Sequence, residues 1–136
     1  MKKKVREVTI DVKGKVVNVG IDVHKVSWEV TAMVEGIILC SGTCPSNYET
    51  LRLLIRSYVG AKVRVAYEAG CCGFSLHDQL AAEGIECLVV PPSLIPTEVG
   101  NKVKTDRIDS KKLARLLERG LLKRVHVLSA EERSDR

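Results

Sequence analysis

Four acids carry the chemistry that this sequence offers. Asp22 follows the apolar run Val16-Val17-Asn18-Val19-Gly20-Ile21, and Glu68 follows Lys62-Val63-Arg64-Val65-Ala66-Tyr67. Asp106 and Asp109 open a segment that continues to Leu113 and Leu116. Four carboxylates gathered in one place repel one another unless a cation sits among them. Mg²⁺ or Mn²⁺ prefers such oxygen ligands. Two such ions about 4 Å apart activate water and stabilise the leaving oxygen in phosphodiester cleavage. Each acid also has a plainer explanation. Strands often end on an acid as the chain returns to water. A helix N-cap at Asp106, worth ~1 kcal/mol, and a first-turn charge at Asp109 are equally ordinary. The spacing Asp106, Asp109, Leu113 (i, i+3, i+7) puts the two acids on the face that carries leucines, which a solvated acid avoids.

The surroundings of the last two acids are basic. Lys102, Lys104, Arg107, Lys111 and Lys112 crowd them, as cations that hold a phosphate backbone would, or as ordinary solvated helix charges. Net charge is +5, unevenly spread: residues 1–15 carry six Lys/Arg against two acids, residues 102–136 eleven against six, and residues 16–101 five against nine. Basic ends around an acidic middle suit a polyanionic substrate, or are simply solvated faces and tails. Aromatic residues make up only 4% of the chain, so base-stacking platforms are not an obvious part of its design. His24 and Lys25 stand in the turn after Asp22, placed either to assist a proton or phosphate or simply to turn the chain. Gly70 and Gly73 bracket a helix start, as a close backbone approach or a simple turn requires.

These residues need a frame. At 136 residues, 45% hydrophobic and 29% charged, the chain suits one globular domain. No apolar run approaches 18 residues and no signal-type core follows the basic N-terminus, so a cytoplasmic protein without a membrane partner is expected. Five cysteines, an odd count without paired C-x2-C spacing, read as buried thiols rather than disulfides or a zinc site. Residues 1–15 read as a frayed basic leader. The run 16–21 reads as a strand buried on both faces. Val26, Trp28, Val30, Ala32 and Val34 alternate with polar residues and Met33, as in a half-exposed strand with Trp28 in the core. Glu35-Gly36 signals a tight turn into a third strand at Ile37. Ser46 and Glu49 form a capping box ahead of Leu51, Leu54, Ile55 and Tyr58. A strand at 62–67, a helix at 74–82, a strand at 85–90, a loop at 91–105 and a helix from Asp106 to Arg119, stopped by Gly120, complete the order. The order β-β-β-α-β-α-β-α predicts an α/β fold with one mixed five-stranded sheet. Its strand order is 3-2-1-4-5, strand 2 is antiparallel, and helices lie on both faces. Asp22 and Glu68 then end parallel neighbours, at the edge where open α/β sheets place ligands.

Three motifs in sequence carry a resemblance. Gly20-Ile21-Asp22-Val23-His24-Lys25, Tyr67-Glu68-Ala69-Gly70 and Lys104-Thr105-Asp106-Arg107-Ile108-Asp109-Ser110-Lys111-Lys112-Leu113-Ala114 resemble those of the DEDD transposases of the insertion-sequence 110 and 111 family. The resemblance implies a ribonuclease-H-like domain of the Holliday-junction-resolvase type over residues 16–128, with residues 129–136 starting a linker to a C-terminal domain not contained here. It implies that Asp22, Glu68, Asp106 and Asp109 bind Mg²⁺ or Mn²⁺ as a catalytic tetrad of a DNA transposase or recombinase. It further implies DNA and a guide RNA as partners and a homo-oligomer at full length, with complete recombination needing more than this chain. Two other readings stay open. One is a non-catalytic nucleic-acid-binding module. The other is a fragment of an actin-like or sugar-kinase-type phosphotransferase, against which stand the bulky Val23-His24-Lys25 turn and the lack of room for a second lobe.

Overall fold

The computed structural model describes residues 10–68, 75–90 and 109–122. Its elements are β1 (Val16–Val23), β2 (Ser27–Val34), β3 (Ile37–Pro45), α1 (Tyr48–Arg56), β4 (Lys62–Glu68), α2 (Ser75–Ala82), β5 (Glu86–Val90) and α3 (Ser110–Glu118). They form one five-stranded sheet in the order β3-β2-β1-β4-β5. The first three strands pair antiparallel, whereas β1–β4 and β4–β5 are parallel. This is the mixed sheet expected from the sequence, an α/β arrangement consistent with a ribonuclease-H-like fold. The β2–β3 turn holds Glu35 at φ 48° and Gly36 at φ 80°, and two successive positive φ values suit the right-handed twist of the strands it joins.

The two faces of the sheet hold separate cores. Val17, Val19 and Ile21 of β1, with Val65 and Tyr67 of β4, pack against Leu51 and Ile55 of α1 and Leu76 and Leu80 of α2. Ala66, Leu88 and Val90 face the other way, onto Leu113, Leu116 and Leu117 of α3. Strand alternation therefore assigns every second residue of β1, namely Asn18, Gly20 and Asp22, to the α3 side. Cys40, Cys44 and Cys87 are buried free thiols, as read from the sequence, and burial pushes the Cys44 thiol up from its ordinary pKa.

Four local expectations differ from what forms. β2 is not half-exposed: Thr31 and Met33 are buried as well as Val30 and Ala32, because α3 covers its second face. Asn47, not Ser46, caps α1, accepting the Glu49 N–H at 2.7 Å, while the Ser46 hydroxyl donates to the Lys25 carbonyl. The end of the leader is not frayed. Val12 is buried, and Gly14 N–H donates to the Gly60 carbonyl at 2.9 Å, tying residues 10–15 to the start of β4. The last helix begins at Ser110, because Asp109 has an extended backbone (φ −79°, ψ 171°) and acts as its N-cap. Asp109 thus precedes the helical stripe rather than lying on it, and Asp106 lies outside the described residues. The helix ends where expected, at Gly120 with φ 70°.

Candidate metal and nucleic-acid site

Asp22 is the last residue but one of β1, and Glu68 is the last of β4. The parallel register pairs Ile21 with Tyr67, so the next step along both strands brings Asp22 alongside Glu68. Both fall on the α3 side by alternation, since Gly20 and Ala66, two residues earlier, face α3. The Asp22 side chain is only 12% exposed, and its Oδ2 lies 3.3 Å from Nε2 of His24, which is 39% exposed. Backbone pairing aims this imidazole: His24 N–H donates to the Ser27 carbonyl at 3.1 Å, closing the β1–β2 turn.

Asp109 reaches the same edge from the helix. α3 runs antiparallel to β1. Its first turn lies over Gly20, and Glu118 at its far end accepts the Gly36 N–H at 2.9 Å, beside the β2–β3 turn. The approach at Gly20 is backbone on backbone. A Cβ there would stand 2.4 Å from the Ser110 carbonyl oxygen, 2.6 Å from the Ala114 nitrogen and 2.8 Å from the Leu113 Cβ. Only glycine admits the helix at this depth. A buried hydrogen bond fixes the same turn laterally. Ser110 Oγ lies 2.7 Å from Thr31 Oγ1, which in turn lies 3.1 Å from Ser41 Oγ. Asp109 Oδ1 accepts the Lys112 N–H at 2.8 Å, which orients the carboxylate.

Asp22 and Glu68 therefore end neighbouring strands on one face of the sheet, and Asp109 precedes the helix that packs over Gly20 on that face. Among the described residues, no three His, Cys, Asp or Glu side chains are grouped closely enough to hold a metal ion. The fourth acid, Asp106, lies outside those residues, as do Lys102, Lys104, Arg107, Gly70 and Gly73. Lys111 and Lys112 are present in the first turn of α3, exposed and half-buried respectively. Sequence reasoning from acids and cations misses Gly20, Thr31 and Ser110, which position them. A glycine inside an apolar strand is the available signal, because it marks a close backbone approach. Nothing in the sequence singles out the Thr31–Ser110 pair.

The hydroxyl ladder makes a checkable difference. Thr31→Val strands the Ser110 hydroxyl in a dry site and is expected to cost about 1–3 kcal/mol. Ser110→Ala leaves Thr31 with Ser41 and is expected to cost ~1 kcal/mol or less. Denaturant titration of both variants compares them, and equal losses would show that the ladder does not fix α3.

With the geometry in place, comparison with known proteins decides the family. The family model of the IS110-type DEDD transposases, described as a transposase, matches residues 19–134. The chain belongs to the DEDD transposase family. The transposase for insertion sequence element IS1533 of Leptospira borgpetersenii is 31% identical over 105 residues, covering 74% of this chain and 30% of its own length. The provisionally named transposase y4qE of Sinorhizobium fredii is 49% identical over 65 residues, 48% of this chain and 17% of its own. The chain spans less than a third of the length of either relative. In this DEDD transposase domain, no helix among the described residues is long and apolar enough to cross a membrane.

Proposed function

We propose that this domain is the metal-dependent catalytic part of a DNA transposase or recombinase, acting on DNA phosphodiesters. The observation that carries the reading is the shared edge. Parallel β1 and β4 deliver Asp22 and Glu68 side by side, and the Gly20 contact brings the Asp109 end of α3 over them. Family membership supports the reaction class. The donor set is all carboxylate, the chemistry that suits Mg²⁺ or Mn²⁺ rather than a thiolate-seeking metal.

Asp22, Glu68 and Asp109, with Asp106 as the fourth acid by family pattern, would hold the ions. Bound there, divalent cations activate water and stabilise the leaving oxygen of a phosphodiester. The chain's own contribution is position. Two strand ends and a capped helix start carry the carboxylates, and regular elements place a site more closely than loops do. His24 fixes Asp22 from the solvent side. DNA as substrate, a guide RNA and self-association at full length belong to the same proposal.

The first test is Mn²⁺ calorimetry on the folded 136-residue chain. Binding in the millimolar range or tighter is expected, with a matching rise in melting temperature by mass action. A folded sample that takes up no Mn²⁺ at millimolar concentration counts against the metal. Asp109 separates capping from ligation. Asp109→Asn keeps a good N-cap and should change stability by only a few tenths of a kcal/mol, whereas Asp109→Ala should lose ~1 kcal/mol. As a metal donor, Asp109 makes both variants bind Mn²⁺ at least about tenfold more weakly. As a cap alone, it leaves Asp109→Asn with wild-type affinity.

A further inference from the structure

Outside α3 most of the described cations are paired, Lys13 and Lys25 being the exceptions. Arg52 and Arg56 are paired with Glu83, Lys62 and Arg64 with Glu86, and Lys15 with Glu35. On α3 the pattern stops. Among the described residues no carboxylate lies within ion-pair distance of Lys111, Lys112, Arg115 or Arg119. Glu118, the one acid inside α3, instead turns its Oε2 to the Gly36 N–H. Lys111, Arg115 and Arg119 are all exposed. Their i, i+4, i+8 spacing sets them about 6 Å apart in rise along one outer stripe of the helix. The opposite face is spent on Leu113, Leu116 and Leu117.

Folding stability does not account for the head of this stripe. A helix N-terminus carries partial positive charge, and cations in the first turn are disfavoured there. α3 nonetheless places Lys111 and Lys112 in its first turn, with no acid among its first helical residues. A helix face selected only for solvation would put acids at that end and pair the arginines further along. Lys111 stands at the wrong end of the dipole, Arg115 and Arg119 at the favourable end, and among the described residues none of the three has an acidic partner, which suits a ligand that brings the negative charge.

We infer that the outer face of α3, through Lys111, Arg115 and Arg119, is a binding stripe for the phosphodiester backbone of a nucleic acid. The stripe starts two residues from Asp109, at the acid edge, and runs down the helix toward the β2–β3 turn. A strand seated on it is led to Asp22, Glu68 and Asp109. This rests on the catalytic reading for its direction and deepens it by giving the substrate a path. Arg115 and Arg119 add to the cations around Asp106 and Asp109 that the sequence alone points to.

The experiment measures binding of the 136-residue chain to a duplex DNA oligonucleotide and to a single-stranded RNA, from 50 to 200 mM salt. The variants are Arg115→Ala/Arg119→Ala and, as an equal change of charge on the paired side, Arg56→Ala/Lys62→Ala. Each lost phosphate contact should lower the magnitude of the log K against log salt slope by about 0.9 on duplex DNA and about 0.7 on a single strand. Affinity at 0.1 M salt should fall on the order of tenfold per contact. The α3 pair should show both losses, the paired-side variant neither, and Arg115→Lys/Arg119→Lys should keep the wild-type slope. The nucleic acid that loses more contacts, each slope change being divided by its own per-contact value, is the one the stripe holds. Equal losses from both Ala pairs, or an unchanged slope for the α3 pair, overturn the inference. Melting curves confirm that the variants fold, and Arg115→Gln/Arg119→Gln supplies the same reading if the Ala pair does not. Failure here is distinct from failure of the catalytic reading. Asp22→Asn removes no cation and should retain the salt slope whatever it does to cleavage.

Discussion

Gly20→Ala is expected to be strongly destabilising. The added Cβ meets the Ser110 carbonyl at 2.4 Å and the Ala114 nitrogen at 2.6 Å, and both are backbone atoms of α3. No rotamer change relieves such a clash, so the helix must lift. Lifting it loosens Leu113 and Leu117, which are fully buried against the sheet, and opens the 2.7 Å Thr31–Ser110 bond. Overpacking of this kind costs about 1–3 kcal/mol and occasionally more. The backbone contact argues for the upper end, a fall in melting temperature on the order of 10 °C. The same shift carries Asp109 away from Asp22, so Mn²⁺ affinity should fall further than the stability loss alone requires. A Gly20→Ala protein that melts within a degree or two of wild type would show that α3 does not sit at this depth.

Much of this arrangement is legible in the amino-acid order. The two parallel pairings follow from element order and crossover handedness, which is why Asp22 and Glu68 can be placed side by side. The Glu35-Gly36 turn and the Gly120 stop are legible because both need positive φ. What stays hidden is whatever α3 decides. Thr31 and Met33 look like the polar face of a half-exposed strand until a helix covers them. Asp109 looks like a helical residue until its own side chain takes the Lys112 N–H and starts the helix one residue later. Caps compete among neighbouring candidates by fractions of a kcal/mol, and the same ambiguity puts the α1 cap at Asn47 instead of Ser46. The candidate site is legible in residue types. Its depth is not, since it depends on a glycine whose use is visible only once Ser110 stands against it.

The two rival readings meet particular residues. A phosphotransferase of the actin or sugar-kinase kind cradles phosphates on small residues after its first strand. Here β1 leads into Val23, His24 and Lys25, with His24 directed at Asp22 instead of at an open loop. A nucleic-acid-binding module without catalysis accounts for the α3 cations but leaves the acids unexplained. It provides no reason for an Asp to stand 12% exposed beside a strand-end Glu on the same face.

Asp22→Asn is where those readings part most widely. The substitution is nearly isosteric and sits at the end of a central strand, so the sheet should be untouched. The amide oxygen can still accept from His24, 3.3 Å away, and the lost ionic part of that contact is small because the imidazole is 39% exposed. Removing one charge from an edge that also carries Glu68 eases repulsion. Melting without metal should therefore stay within about 0.5 kcal/mol of wild type. Catalysis should not survive. A carboxylate in the central strand would be best placed to hold the cations that the reaction needs. Losing a group that stabilises developing charge costs on the order of 10²–10³ in rate. DNA cleavage and strand exchange by a transposition-competent protein carrying this domain should fall at least that far. Duplex binding and its salt slope should stay at wild-type values, because the cations of α3 remain in place. Normal exchange with Asn at position 22 would leave a binding domain whose chemistry lies elsewhere. Lost exchange with intact folding and intact DNA binding assigns the chemistry to the acid edge.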